Sequence, residues 1–169
     1  MISYRDAGLD DAALLAEVSG KSFAETFGHL YAEHDLRTFL AKLSEAAWRD
    51  ELEDPRIRVR IAEENGEAGG FAKLGPISLP VDPPGPAAEL RQLYLLQPWQ
   101  GRGIGRALMD WALDQARRGG AKEVYLSVWT ENFGAQRFYR RYGFTYVRPY
   151  AFMVGDQADE DEIWRLELK

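Results

Sequence analysis

The chain has 169 residues, 46% of them hydrophobic, 28% charged and 12% aromatic, the length and balance of one globular domain spanning residues 1–169. With no cysteine and only two histidines, His29 and His34, it excludes disulfide scaffolds, thiolate metal sites and cysteine nucleophiles, and no metal site is expected. A net charge of -6 argues against a nucleic-acid partner, and the absence of a long apolar run or basic leader argues against a membrane and for the cytoplasm.

In chain order, Ile2 to Arg5 reads as a short strand. Leu14, Leu15, Val18, Phe23 and Phe27 follow a helical period from Leu9 onward, and Asp10 and Asp11 suit the start of that helix. Two more helical pieces follow, Glu33 to Leu43 and Ser44 to Glu53. Ile57, Val59 and Ile61 alternate with arginines, which predicts a strand with one wet face, and Glu64-Asn65-Gly66 is a hairpin turn returning through Ala68 to Leu74. Residues 75–86 hold five of the eight prolines and form a loop inside the domain. Beyond it the pattern predicts a strand over Glu89 to Leu96, a helix over Gly103 to Arg118, a strand over Glu123 to Trp129 and a helix over Asn132 to Tyr142 ended by Gly143. Two last strands are expected at Phe144 to Arg148 and Asp161 to Leu168. This order gives an α/β mixed sheet of about seven strands with helices on both faces. Its terminal strands could leave an edge suited to a homodimer.

Charge is unevenly spread. Leu90 to Ala107 and Asn132 to Gly155 carry arginines and no acid, whereas residues 1–64 hold fourteen acids against eight bases and 156–162 hold five acids and no base. Such a split suits an anionic ligand on one side and a cationic one on the other, or simply a solvated surface. The stretch Gln100-Gly101-Arg102-Gly103-Ile104-Gly105-Arg106 places three alternating glycines between a strand end and a helix start, where bare backbone N–H groups and the helix dipole form an anion cradle. A dinucleotide fingerprint would need glycine at Arg106, and a P-loop would need Gly-Lys followed by Ser or Thr. Neither fits.

Gln100-x-x-Gly103-x-Gly105 after the Leu93-Tyr94-Leu95 strand end resembles the acetyl-CoA motif of the GNAT superfamily of N-acetyltransferases. Asn132-x-x-Ala135-x-x-Phe138-Tyr139-x-x-x-Gly143-Phe144 resembles its second signature. Phe23 to Gly28, Ser127-Val128-Trp129 with Asn132, and Phe152 to Asp156 are similar to bacterial spermidine/spermine N-acetyltransferases. The resemblance implies a mostly antiparallel sheet splayed between its fourth and fifth strands, with acetyl-CoA as cosubstrate in the gap. Its pantetheine arm would meet the backbone of Leu93, Tyr94 and Leu95, and its pyrophosphate the N–H groups from Gln100 through Arg106. Asn132, Ala135 and Tyr139 are also placed at the cofactor, and the Arg102 and Arg106 side chains either assist there or are solvated arginines at the helix start.

The implied reaction is direct attack by a small amine, a polyamine first, on the thioester. A peptide N-terminus or a non-catalytic CoA-binding module are the alternatives. Glu89 is the candidate base, directly or through water, or else a strand-edge carboxylate paired with an arginine. Tyr139 is the candidate acid for the departing thiol, its helical spacing with Phe138 and Tyr142 also being that of a core aromatic. Asn132 suits a helix cap as well as a cofactor contact. On the acceptor side the resemblance sets Glu25, Phe27, Tyr31 and Phe152, with His29, Glu33, Asp35 and Asp156 nearby, a carboxylate and aromatic set that suits a cation.

Overall fold

The computed structural model describes all 169 residues. The strands are β1 (Ser3–Asp6), β2 (Arg58–Glu64), β3 (Glu67–Gly75), β4 (Ala87–Leu95), β5 (Glu123–Trp129), β6 (Thr145–Val154) and β7 (Gln157–Glu167), and the helices α1 (Ala12–Phe27), α2 (Glu33–Leu40), α3 (Glu45–Glu53), α4 (Ile104–Arg118) and α5 (Phe133–Tyr142). The strands form one sheet in the order β1-β2-β3-β4-β5-β7-β6. Only the β4–β5 pair is parallel. No helix is long and apolar enough to cross a membrane.

Local chemistry accounts for most boundaries. Asn65 and Gly66 both take positive φ, 54° and 78°, as a two-residue turn of the favoured hairpin hand requires. Ser44 accepts a hydrogen bond from Ala47 N at 3.2 Å and caps α3. Gly143, at φ 98°, closes α5 in the left-handed region. The main core lies between the sheet and α1, α3 and α4, around Leu15, Trp48, Ile61, Phe71, Leu108, Met109, Val124 and Leu126. A buried hydrogen bond from Trp48 Nε1 to Ser19 Oγ at 3.0 Å fastens α3 to α1.

The last two strands are longer than expected. β6 continues past Pro149 to Val154, and β7 starts at Gln157. Proline is tolerated because β6 is the outermost strand and one side of its ladder has no partner to bond. The acidic segment 156–162, apart from Asp156, therefore lies within a strand.

The feature that makes the site is a fork. β4 has nine residues and β5 seven, yet they pair only at Ala87↔Glu123, Ala88↔Val124 and Glu89↔Tyr125. Immediately beyond, the β3–β4 register slips: Leu74 pairs with Leu90 and Lys73 with Gln92, so Arg91 is an extra residue in β4. A bulge bends and twists its strand, and this one lies where β4 leaves β5. Beyond it, β4 stays bonded to β3 and β5 to β7, and the two diverge.

Candidate active site

The gap between the diverging strands is a cavity of about 630 Å³, within the range for small-molecule sites. Leu90 to Leu95 form one wall and Leu126 to Trp129 the other. The α4 entry closes one end with α5, and α1, Tyr31, Phe152 and β7 cover the opposite face.

The β4 wall offers main-chain groups. Leu96 N–H donates across the sheet to Gly69 O at 2.9 Å. Backbone groups alternate sides along a strand, so those of Leu95 and Leu93 face the gap. The Leu95 carbonyl is used there, accepting from Ser22 Oγ at 3.3 Å and Gln100 Nε2 at 3.2 Å. Next comes the glycine turn, with Gly101 at φ 73° and Gly103, the residue before α4, at φ 79°. Left-handed backbone is the reason for glycine at these two positions, and a Cβ at either would meet no atom within 4 Å. Ala107 N–H bonds back to Gly103 O, so the N–H groups of Ile104, Gly105 and Arg106 have no carbonyl one turn behind them. An open surface of unpaired donors at a helix N-terminus fits a phosphate-bearing group.

Across the gap, Asn132 caps α5 by accepting from Ala135 N at 3.2 Å, and buried Gln136 donates to the carbonyls of Trp129 and Thr130 at 3.1 and 2.8 Å. These bonds tie α5 to the end of β5 and bring Tyr139 to the cleft. Its ring packs against Phe138 and Phe144, while burial alone pushes its hydroxyl up to about 12. A phenol so held keeps its proton through the neutral range and can donate it. Tyr94, on β4, is likewise pushed up to about 12 by burial.

The acceptor face is aromatic and acidic. Phe23 packs against Phe27, Tyr31 and Phe39, Phe39 against Phe152, and Phe27 meets Trp129 edge-on at 6.1 Å. From β7, Asp159 and Asp161 reach the cavity. The Tyr31 hydroxyl donates to Asp159. Asp161 is only 8% exposed, and burial, then the charge of Asp159, raises its carboxyl to about 7.

Of the residues singled out from the sequence, Leu93, Tyr94, Leu95, Gln100, Gly101, Gly103, Gly105, Arg106, Asn132, Ala135, Tyr139, Phe27, Tyr31 and Phe152 line this one cavity. Four do not. Glu89 stands at the closed end of the fork, 6% exposed, where its carboxylate accepts from Ser78 N at 2.8 Å, Leu79 N at 3.1 Å and Ser78 Oγ at 3.0 Å. It braces the proline loop against β4, and its partners are backbone and hydroxyl, not an arginine. Arg102 turns away to Glu64 at 2.8 Å and lies over Trp99. The Ile104 side chain is in the core, 1% exposed, leaving only its N–H at the cradle. Glu25 accepts from Gln97 N at 2.9 Å and pins α1 to the turn after β4.

The sequence reading missed Asp159 and Asp161. Along β7, Gln157, Asp159, Asp161 and Ile163 are the less exposed residues, and Ala158 and Glu160 the more exposed. The strand period of two was present, but a run of four acids hides it.

Residues 21–144 match the family described as Acetyltransferase (GNAT) family. An uncharacterised N-acetyltransferase from Mycobacterium bovis is 32% identical over 161 residues, covering 95% of this chain and 99% of that protein. The aminoalkylphosphonate N-acetyltransferase of Salmonella typhimurium is 34% identical over 107 residues, 61% of this chain and 69% of the other. Among solved structures, the PaiA N-acetyltransferase of Thermoplasma acidophilum in complex with coenzyme A superposes with a TM-score of 0.81 at 24% identity, covering 99% of each chain. None of these three descriptions names a polyamine, so the narrower resemblance gains no support from them. The forked sheet, the glycine cradle and the family match agree, and the chain belongs to the GNAT family of acetyltransferases as an N-acetyltransferase.

Proposed function

We propose that this cleft transfers an acetyl group from acetyl-CoA to the primary amine of a small cationic acceptor, a polyamine being the first candidate. The observation that carries the reading is the contrast between the two sides of the fork. One side offers unpaired main-chain donors to an anionic carrier, and the other offers aromatic rings and two carboxylates to a cation.

Acetyl-CoA supplies the activated thioester. The N–H groups at the start of α4 hold its pyrophosphate, and the inward main chain of Leu93 and Leu95 aligns its arm as an added strand would be aligned. Leu95 N–H, facing the gap, polarises the carbonyl. One such donor is worth about 3 kcal/mol in a transition state. The Tyr139 hydroxyl gives its proton to the departing sulfur. An aliphatic ammonium, ordinarily titrating near ~10.4, must lose a proton before it can attack. Glu89 is held by Ser78 and Leu79 at the closed end and does not line the cavity.

Calorimetric titration with acetyl-CoA combined with a thiol-release assay over an amine panel tests the reading. Binding together with acetylation of diamines and longer polyamines is the expected result. Binding without transfer to any amine would reduce the protein to a CoA-binding module, and transfer to peptide N-termini alone would replace the acceptor.

A further inference from the structure

We propose that Asp161 is the residue that receives the acceptor amine, binding its ammonium group and taking the proton that the nitrogen must lose before attack. The assignment rests on N-acetyl transfer in this cleft.

The geometry is that of a carboxylate left waiting for a partner. Asp161 stands in β7 between two strands, opposite Trp129 of β5 and Tyr150 of β6. It shares its face with Asp159, and both reach the cavity lined by Tyr94 and Tyr139. Although 8% exposed, its carboxylate is held by neither a hydrogen-bond donor nor a cation, and the one charge acting on it is the like charge of Asp159. The groups facing it are Tyr31 from the segment before α2, whose hydroxyl is given to Asp159, Tyr94 from β4 and Tyr150 from β6. A carboxylate drawn largely out of water and bordering a cavity without a protein donor is costly to the fold. Here the missing partner can come from the open cavity. A primary ammonium carries positive charge and three N–H donors, and Tyr31, Phe27 and Phe152 offer ring surface around it.

The chemistry balances. One ammonium proton passes to an Asp161 oxygen, and the freed electron pair forms the bond to the acetyl carbon. The carbon–sulfur bond breaks, the sulfur leaves with its electron pair, and Tyr139 protonates it. The second nitrogen proton restores Tyr139 through water. Asp161 then releases its proton to solvent, the net product of the reaction. A carboxyl raised to about 7 lies much nearer the ammonium range than an ordinary aspartate at ~3.9 does, so the first transfer is correspondingly less uphill.

The experiment compares the wild type, Asp161→Asn and Asp159→Asn with acetyl-CoA and two acceptors of similar size, butylamine and the weakly basic 2,2,2-trifluoroethylamine, from about pH 5.5 to about pH 9. Wild-type kcat/KM should fall on the acid side of about pH 7, following free Asp161. Asp161→Asn should lose about 10² to 10⁴ in kcat/KM with butylamine but less than about tenfold with trifluoroethylamine, which arrives without the extra proton. Asp159→Asn removes the like charge that raises Asp161, so its acid limb should move to lower pH. Acetyl-CoA affinity, read by calorimetry, should stay unchanged in both variants and verifies that they fold. Asp161→Asn turning over butylamine within about threefold of the wild type, or losing both amines equally, overturns the assignment alone. A wild type that binds acetyl-CoA and acetylates neither these amines nor any diamine or longer polyamine overturns the proposed function and this assignment with it.

Discussion

Glu89 and Asp161 are two buried carboxylates on the same sheet, 6% and 8% exposed, and their surroundings are opposite. Glu89 sits where β4 and β5 are still paired and has the N–H groups of Ser78 and Leu79 as well as the Ser78 hydroxyl. Asp161 sits in β7, paired on both sides, and reaches the gap left where β4 and β5 diverge, with burial and a neighbouring anion as its environment. A carboxylate with its lone pairs filled stabilises what it touches. One with them empty costs the fold free energy and is available to a ligand. A glutamate near the fork was legible from the sequence, whereas only the hydrogen bonds reveal which of the two acids is occupied.

The largest effect separating the open end from the closed end is expected at Tyr139. Tyr139→Phe should lower kcat by about 10² to 10⁴ with the fold intact, because it removes the proton donor and keeps the ring packing against Phe138 and Phe144. Single-turnover kinetics with chemistry rate-limiting and an unchanged rate would take Tyr139 out of that role.

At the closed end, Glu89→Ala should act on stability instead. It leaves two backbone N–H groups and a hydroxyl without their acceptor, a loss of about 3 kcal/mol, while kcat per folded molecule stays near wild type. Denaturant unfolding and a thiol-release assay on the same preparation check both halves. A collapse of kcat at full stability would return Glu89 to the chemistry.

Asp161→Asn should move stability the other way, and the sign follows from the raised carboxyl. The folded state holds the Asp161 proton up to about 7, whereas the unfolded chain releases it near the ordinary 3.8. Stability is therefore lost as pH rises through that window, with the full cost present above about 7. The asparagine variant escapes the cost. Its Tm should exceed the wild type by a few degrees at pH 8, at about 2 to 4 °C for each kcal/mol, with the gap closing as pH falls toward the lower end of that window. Equal melting curves across the range would show that the carboxylate is comfortably solvated.

The smallest expected change is at the cradle. Gly103→Ala forces a side chain into left-handed backbone at φ 79°, a strain of about 1 to 2 kcal/mol. The space is open, so the loss should appear in Tm and acetyl-CoA affinity with kcat little changed. A melting temperature equal to wild type would mean the turn tolerates a Cβ.

Much of the molecule was readable from local patterns because their causes are local. The alternation at Ile57 to Ile61, the Asn65-Gly66 turn and the glycines at 101 and 103 each report a backbone requirement satisfied within a few residues. The paired signatures, which encode a spacing along one strand–turn–helix and one helix, pointed to Tyr139 and to Leu93, Tyr94 and Leu95, which line one cavity. Glu25 and Arg102 lie outside the cavity because each is engaged by a partner far along the chain, the Gln97 N–H and the Glu64 carboxylate, and for Arg102 this is the solvated alternative.

By itself the sequence determined the seven strands and five helices to within a few residues in most places, the glycine turn, and the family to which these belong. Such features depend on periodicity and on residues restricted in φ, which act at short range. Only the tertiary structure decided that β6 runs through Pro149 at the sheet's edge, that the bulge at Arg91 opens the fork, and that Asp161 rather than Glu89 faces the cavity without a partner. Those outcomes depend on which distant groups meet, because a carboxylate's chemistry follows from the donors and charges around it and not from its position in the chain.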